Sequence, residues 1–205
     1  MSPHPNPLPI GERGSIEHIF IILAQVCFSP SPFQGEGRGE GLSRTLIKKQ
    51  KMNFHQYYPV DIVNGPGTRC TLFVSGCIHE CPGCYNKSTW RLNSGMPFTA
   101  EMEQRIIDDL NDTRIKRQGI SLSGGDPLHP QNVPDILTLV QRIRAECPGK
   151  DIWVWTGYKL DELNDAQMQV VDLINVLIDG KFVQDLKDPM LIWRGSSNQV
   201  VHQLR

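Results

Sequence analysis

Cys70-Thr71-Leu72-Phe73-Val74-Ser75-Gly76-Cys77-Ile78-His79-Glu80-Cys81-Pro82-Gly83-Cys84-Tyr85-Asn86 is the stretch on which the reading of this chain turns. A short β-branched and aromatic run ending at a glycine predicts a strand over 70–74. The loop after it carries Cys77, Cys81 and Cys84, spaced Cys-x-x-x-Cys-x-x-Cys. Thiolates are the usual ligands of iron–sulfur clusters, and a four-iron cube takes four of them. Three from one loop leave one iron open to a small molecule, and an open position marks chemistry rather than scaffolding. Pro82 and Gly83 bend the chain so that the loop can wrap such a cube. The plainer alternative is a structural zinc site with His79 or Cys70 as fourth ligand. A thioredoxin-like dithiol in Cys81-x-x-Cys84 is opposed by the additional Cys77.

Outward from this loop, strands and helices alternate. Met102, Ile106, Ile107 and Leu110 recur at helical spacing over 99–110, with Thr99 as N-cap and Glu101 and Glu103 in the first turn. A second strand is expected over 119–122, closed by Ser123-Gly124-Gly125. A helix follows over 132–146, with Val133, Ile136, Leu137, Val140 and Ile143 on one face. Strands over 151–155 and 175–178 flank a helix over 160–171. This order implies βαβ units, a parallel sheet and right-handed crossovers. The fold class is therefore α/β, with a mostly parallel sheet. The 154 residues from Met52 to Arg205 are too few for a complete eight-fold barrel, so an open or partial (βα) barrel is expected. Cys77, Gly124-Gly125 and Thr156-Gly157 each follow the carboxyl end of an expected strand, where parallel sheets bind ligands.

Composition divides the chain near residue 52. Proline and glycine make up 12 of the first 51 residues but 21 of the remaining 154, a texture that opposes a packed core. Residues 33–40 read as low complexity. Residues 1–51 are accordingly expected to be a disordered or mis-assigned leader, with Met52 the true start and 52–205 the functional domain. A regulatory tail is the alternative. The formal net charge of −1 gives no global electrostatic case for nucleic acid or an anionic membrane. The longest apolar run, over 19–28, is too short to span a bilayer. Three of the six cysteines sit within eight residues, where disulfides are awkward, so a reducing cytoplasmic location is expected.

With these motifs in hand, the chain resembles the radical S-adenosylmethionine enzymes. Asn64-Gly65-Pro66-Gly67-Thr68-Arg69, Cys81-Pro82-Gly83-Cys84-Tyr85-Asn86 and Ser123-Gly124-Gly125-Asp126-Pro127-Leu128 narrow the resemblance to the small glycyl-radical activases of anaerobic ribonucleoside-triphosphate reductase. It runs from about Met52 to Arg205. The resemblance implies a partial (βα) barrel of the radical S-adenosylmethionine type. It also implies that Cys77, Cys81 and Cys84 hold a [4Fe–4S] cluster whose fourth iron binds the amino and carboxylate groups of S-adenosylmethionine. Gly124 and Gly125 match the segment lining the methionine end of that cofactor, and Asp126 stands where many members carry Glu. Many members place an aromatic residue before the third cysteine; here Gly83 takes that position, and Tyr85 follows Cys84 as the substitute stacking group. The implied activity is one-electron cleavage of S-adenosylmethionine to a 5′-deoxyadenosyl radical. That radical takes hydrogen from a glycine of the large reductase subunit, with a flavodoxin-type donor supplying the electron. No acid–base residue is required. The rivals are another small enzyme of the superfamily, such as a pyruvate formate-lyase activase or a deazaguanine-forming enzyme, and a non-catalytic zinc-binding module.

Several residues also carry ordinary readings. A glycine pair after a strand is often a tight turn, and Tyr85 could be plain packing. Trp155 to Tyr158 could be core. Cys70 reads as a buried thiol, Cys147 as the end of a helix before Pro148, and His129 as a loop residue. Arg194 to Gln199 reads as a surface or docking segment.

Overall fold

The computed structural model describes residues 51–205. The leader expected over 1–51, Cys27 included, lies outside the described residues except for Lys51.

Seven strands form one open sheet: β1 (Asn53–Asp61), β2 (Arg69–Val74), β3 (Met96–Pro97), β4 (Gly119–Gly124), β5 (Asp151–Trp155), β6 (Val176–Asp179) and β7 (Val200–Gln203). Their spatial order is β3-β1-β2-β4-β5-β6-β7. The four central strands β2, β4, β5 and β6 run parallel, and β1, β3 and β7 pair antiparallel at the flanks. The parallel α/β reading therefore holds for the centre, and the sheet is not closed.

Three α-helices supply the crossovers: α1 (Ala100–Asn111), α2 (Val133–Glu146) and α3 (Asp165–Val171). The central strands follow one another in chain order, so crossovers of one hand place all three helices on the same sheet face. The helices accordingly contact one another in sequence, α1 with α2 and α2 with α3. Thr99 caps α1, its hydroxyl accepting from the Met102 amide at 3.3 Å, and Glu101 and Glu103 complement the helix dipole. Ile106, Ile107 and Leu110 are its buried face. Five apolar side chains of α2 are buried, including Leu139, which outranks the expected Leu137. At about 1.5–3 kcal/mol per buried side chain, this burial outweighs helix propensity in holding α2.

Strand alternation sorts the two faces. Cys70, Leu72, Val74, Ile120, Leu122, Ile152, Val154 and Leu177 join the core beneath the helices. Trp153, Val176 and Ile178 form a second cluster with Trp155, Trp193 and Val201. Register makes this possible: Leu72 pairs with Leu122, and Leu122 with Val154, so like faces stay aligned.

One helix differs from expectation. The segment over 160–171 is a short 3-10 turn (Leu160–Glu162) followed by α3. Asn164 breaks it, because its side chain accepts from the Gln167 amide while Gln167 bonds back to the Asn164 amide.

Candidate metal centre and its cleft

The cysteine loop is closed by its own backbone. The Gly76 amide donates to Thr89 O at 2.7 Å and the Cys77 amide to Trp90 O at 2.9 Å, so the two ends of the loop are held side by side. Within it the Cys84 amide donates to Cys81 O at 3.1 Å, with Pro82 and Gly83 between them and φ of +76° at Gly83. Proline followed by a left-handed glycine is the pattern of a type II turn. That turn holds Cys81 and Cys84 at its two corners.

Cys77, Cys81 and Cys84 are free thiols and line one cleft, together with Gly124, Gly125, Thr156, Gly157, Gly180 and Phe182. The ends of β2, β4, β5 and β6 thus meet at a single rim. Backbone amides are aimed at the sulfurs: Asn86 N–H donates to Cys84 Sγ at 3.3 Å, and Phe182 N–H faces Cys81. Burial pushes the Cys77 thiol up to about 11, while the His79 and Glu80 amides pull the other way. Burial also raises Cys81. Bare thiols held protonated release protons when a metal takes them. Three soft donors with amide hydrogen bonds fit an iron–sulfur cluster. Cys70 and Cys147 do not reach the loop: they are buried near Pro59 O and Ile107 O respectively. Cys70 is thereby removed as a fourth ligand in the zinc alternative.

Gly124 and Gly125 sit where β4 ends. A side chain at Gly124, whose φ is +100°, would press the backbone of Phe73 and Val74, and one at Gly125 would meet Gly76 O at 2.6 Å. Close backbone packing therefore demands these glycines by itself. Asp126 is 1% exposed, and its carboxylate accepts from the Leu128 amide, the Thr156 hydroxyl, the Gly157 amide and His79. Asn132 donates to Asp126 O and Ser75 O.

Tyr85 lies outside this network. It is 74% exposed, its ring 6.3 Å from that of Phe182 and 4.9 Å from the Lys187 ammonium. It faces a neighbouring space of about 510 Å³ lined also by Cys84, Asn86, Trp155 and Trp193. Trp155 lines both spaces and donates to Trp193 O at 2.7 Å. Within 194–199, Arg194 donates to Gln199 O at 2.6 Å, and the Gln199 side chain accepts from Gly195. His129 is buried and its Nδ1 accepts from the Gln131 amide. Gly180 and Phe182 join the cleft without a motif of their own; the one local signal for them is Asp179-Gly180 closing a strand, as at the other rim segments.

Comparison with known proteins gives the family of the chain. A family profile described as a 4Fe-4S single cluster domain matches residues 63–202. Over 154 residues the chain is 91% identical to the anaerobic ribonucleoside-triphosphate reductase-activating protein of Escherichia coli, covering 75% of this chain and 100% of the relative. The chain belongs to the anaerobic ribonucleoside-triphosphate reductase-activating protein family. Another activating protein of this family, from Vibrio cholerae, is 66% identical over 152 residues, 74% of this chain and 98% of its own length. That of Haemophilus influenzae is 62% identical over 154 residues, 75% and 99%. Among the described residues, no helix of the chain is long and apolar enough to cross a membrane.

Proposed function

We propose that this chain activates an anaerobic ribonucleoside-triphosphate reductase as a radical S-adenosylmethionine enzyme, with a sheet of the partial-barrel kind. Cys77, Cys81 and Cys84 hold a [4Fe–4S] cluster, and Gly83, Cys84, Tyr85, Gly124, Gly125 and Asp126 border the cofactor. The single observation that carries the reading is three free thiols on one loop, opening onto a cleft built from four strand ends.

A [4Fe–4S] cluster held by Cys77, Cys81 and Cys84 would supply the electron for reductive cleavage of S-adenosylmethionine, the chemistry needed to take a hydrogen atom from a reductase glycine. The electron comes from a one-electron donor of the flavodoxin type. The chain's own residues bind, orient and exclude water, and the hard chemistry belongs to the cofactors. The loop would present three thiolates to the cluster. Gly124 and Gly125 present only backbone to the cleft. Trp155 and Phe182 wall it with apolar surface. Five free thiols among the described residues fit a reducing, cytoplasmic setting.

Anaerobic reconstitution of the full chain tests this. The expected result is about four irons per chain and reductive release of methionine and 5′-deoxyadenosine, and with the large reductase subunit a glycine-centred doublet in electron paramagnetic resonance. Tightly held zinc without cofactor cleavage would overturn it.

A further inference from the structure

We infer that His79 is a positioning residue, whose imidazole, seated on Asp126, pins the cysteine loop to the ends of β4 and β5. The inference rests on the reading of Cys77, Cys81 and Cys84 as cluster ligands.

His79 turns inward while its neighbours do not. Its side chain is 5% exposed, whereas Ile78 is 62% exposed and Glu80 faces solvent. Nε2 lies 2.8 Å from Asp126 Oδ2, and the ring meets Tyr158 edge-on with centroids 4.5 Å apart. Gly157 completes the seat: a β-carbon there would come within 2.6 Å of His79 Nε2. A glycine at 157 is thus required by the imidazole above it.

The anchor itself is rigid. Thr156 donates to Asp126 at 2.9 Å, Gly157 at 3.0 Å and Leu128 at 2.8 Å, while the Asp126 amide donates to Gly76 O at 2.7 Å. From the loop, His79 is the one side chain that reaches this carboxylate among the described residues. The residue after it, Glu80, has φ of +44°, a left-handed conformation that a non-glycine residue adopts when tertiary contacts hold it there. The ligand atoms of Cys77, His79 and Asp126 lie within 4.8 Å of one another, so the anchor acts beside the first sulfur. With both Nε2 and the ring edge engaged, His79 orients a ligand loop in the way that outer-shell partners fix metal ligands.

The test uses the full chain with His79→Ala and His79→Gln. Two readouts are followed: the rate at which a chelator bleaches the visible absorbance of the reconstituted cluster, and hydrogen exchange of the cluster-free protein. For His79→Ala we expect bleaching about 10- to 100-fold faster, the scale on which outer-shell substitutions weaken metal sites. Amides over 78–84 should exchange faster while those of Leu72 and Leu122 stay unchanged. His79→Gln, which keeps a donor toward Asp126, should recover most of both. Wild-type behaviour of His79→Ala in both readouts overturns the inference, and so does loss of protection in the strands without rescue by glutamine. If wild-type protein takes up no iron, the cluster reading fails, while the exchange comparison still decides the anchor.

Discussion

The guanidinium of Arg69 lies 2.6 Å from the Asp151 carboxylate, joining the start of β2 to the start of β5 across the intervening β4. Arg69 is completely buried, with further bonds to Ser121 Oγ at 2.8 Å and to Ile120 O and Pro66 O at 3.1 Å. Its guanidinium also packs 5.2 Å from the ring centre of Trp153. This network occupies the amino ends of the strands, opposite the cysteine rim, and so serves stability rather than chemistry. Arg69→Met should cost about 3–5 kcal/mol in urea unfolding, because it strands polar partners inside the protein. Iron content of the folded fraction should stay at the wild-type level, and an equal loss of both would place Arg69 in the site.

Each of Cys77→Ala, Cys81→Ala and Cys84→Ala should abolish a full cluster and reductase activation. Cys147→Ser should keep its iron, at a stability cost of about 1–3 kcal/mol for a hydroxyl in a buried place. Iron analysis decides both halves. A fully loaded Cys81→Ala protein would remove that ligand.

Gly125→Ala should destabilise the protein even with no cofactor present, since the new methyl group meets Gly76 backbone at 2.6 Å. A loss of about 1–3 kcal/mol is expected, the scale of overpacking. Thermal melting of the cluster-free chain is the measurement, and an unchanged midpoint would assign this glycine to ligand room alone.

Stability should fall from about pH 9 upward. Burial pushes Cys70 from its ordinary value of 9.0 to about 11, so the unfolded chain loses this proton first. The contribution of the buried neutral thiol is complete below pH 9 and disappears as pH rises through 11, with a slope of about 1.4 kcal/mol per pH unit between. Denaturant melts of wild type and Cys70→Ala, run side by side, should converge over that window.

Met52 is 1% exposed, and its amide donates to Asp135 Oδ2 at 2.7 Å in the first turn of α2. In a chain beginning at Met52 that nitrogen is an ammonium group, and the bond gains charge. Such a chain should retain activation. Asp135→Asn should cost it about 1.5–3 kcal/mol, against about 0.5–1.5 in the full chain. Equal costs in urea melts, or an inactive short chain, would overturn the reading of residues 1–51 as dispensable.

Legibility in the sequence followed the range of the forces. β2, β4, β5, α1 and α2 were readable because their apolar period, caps and terminal glycines lie within a few residues of each other. β1 was not: it mixes polar residues with Pro59, and irregularities between Phe54 and Gln56 and between Tyr58 and Asp61 break its alternation. β7 is four residues, half of them His and Gln, and is a strand only because β6 offers it an edge.

The same division runs through the site. The cysteine spacing, the turn at Pro82-Gly83 and the strand ends that make a rim are all local, because each depends on neighbouring residues and backbone preference. The bonds from Asp126 to His79, 47 residues away, and to Thr156, 30 residues away, arise only once the chain is folded. Hydrogen bonds between buried side chains depend on where parallel strands bring distant loops together, and no local pattern encodes that meeting.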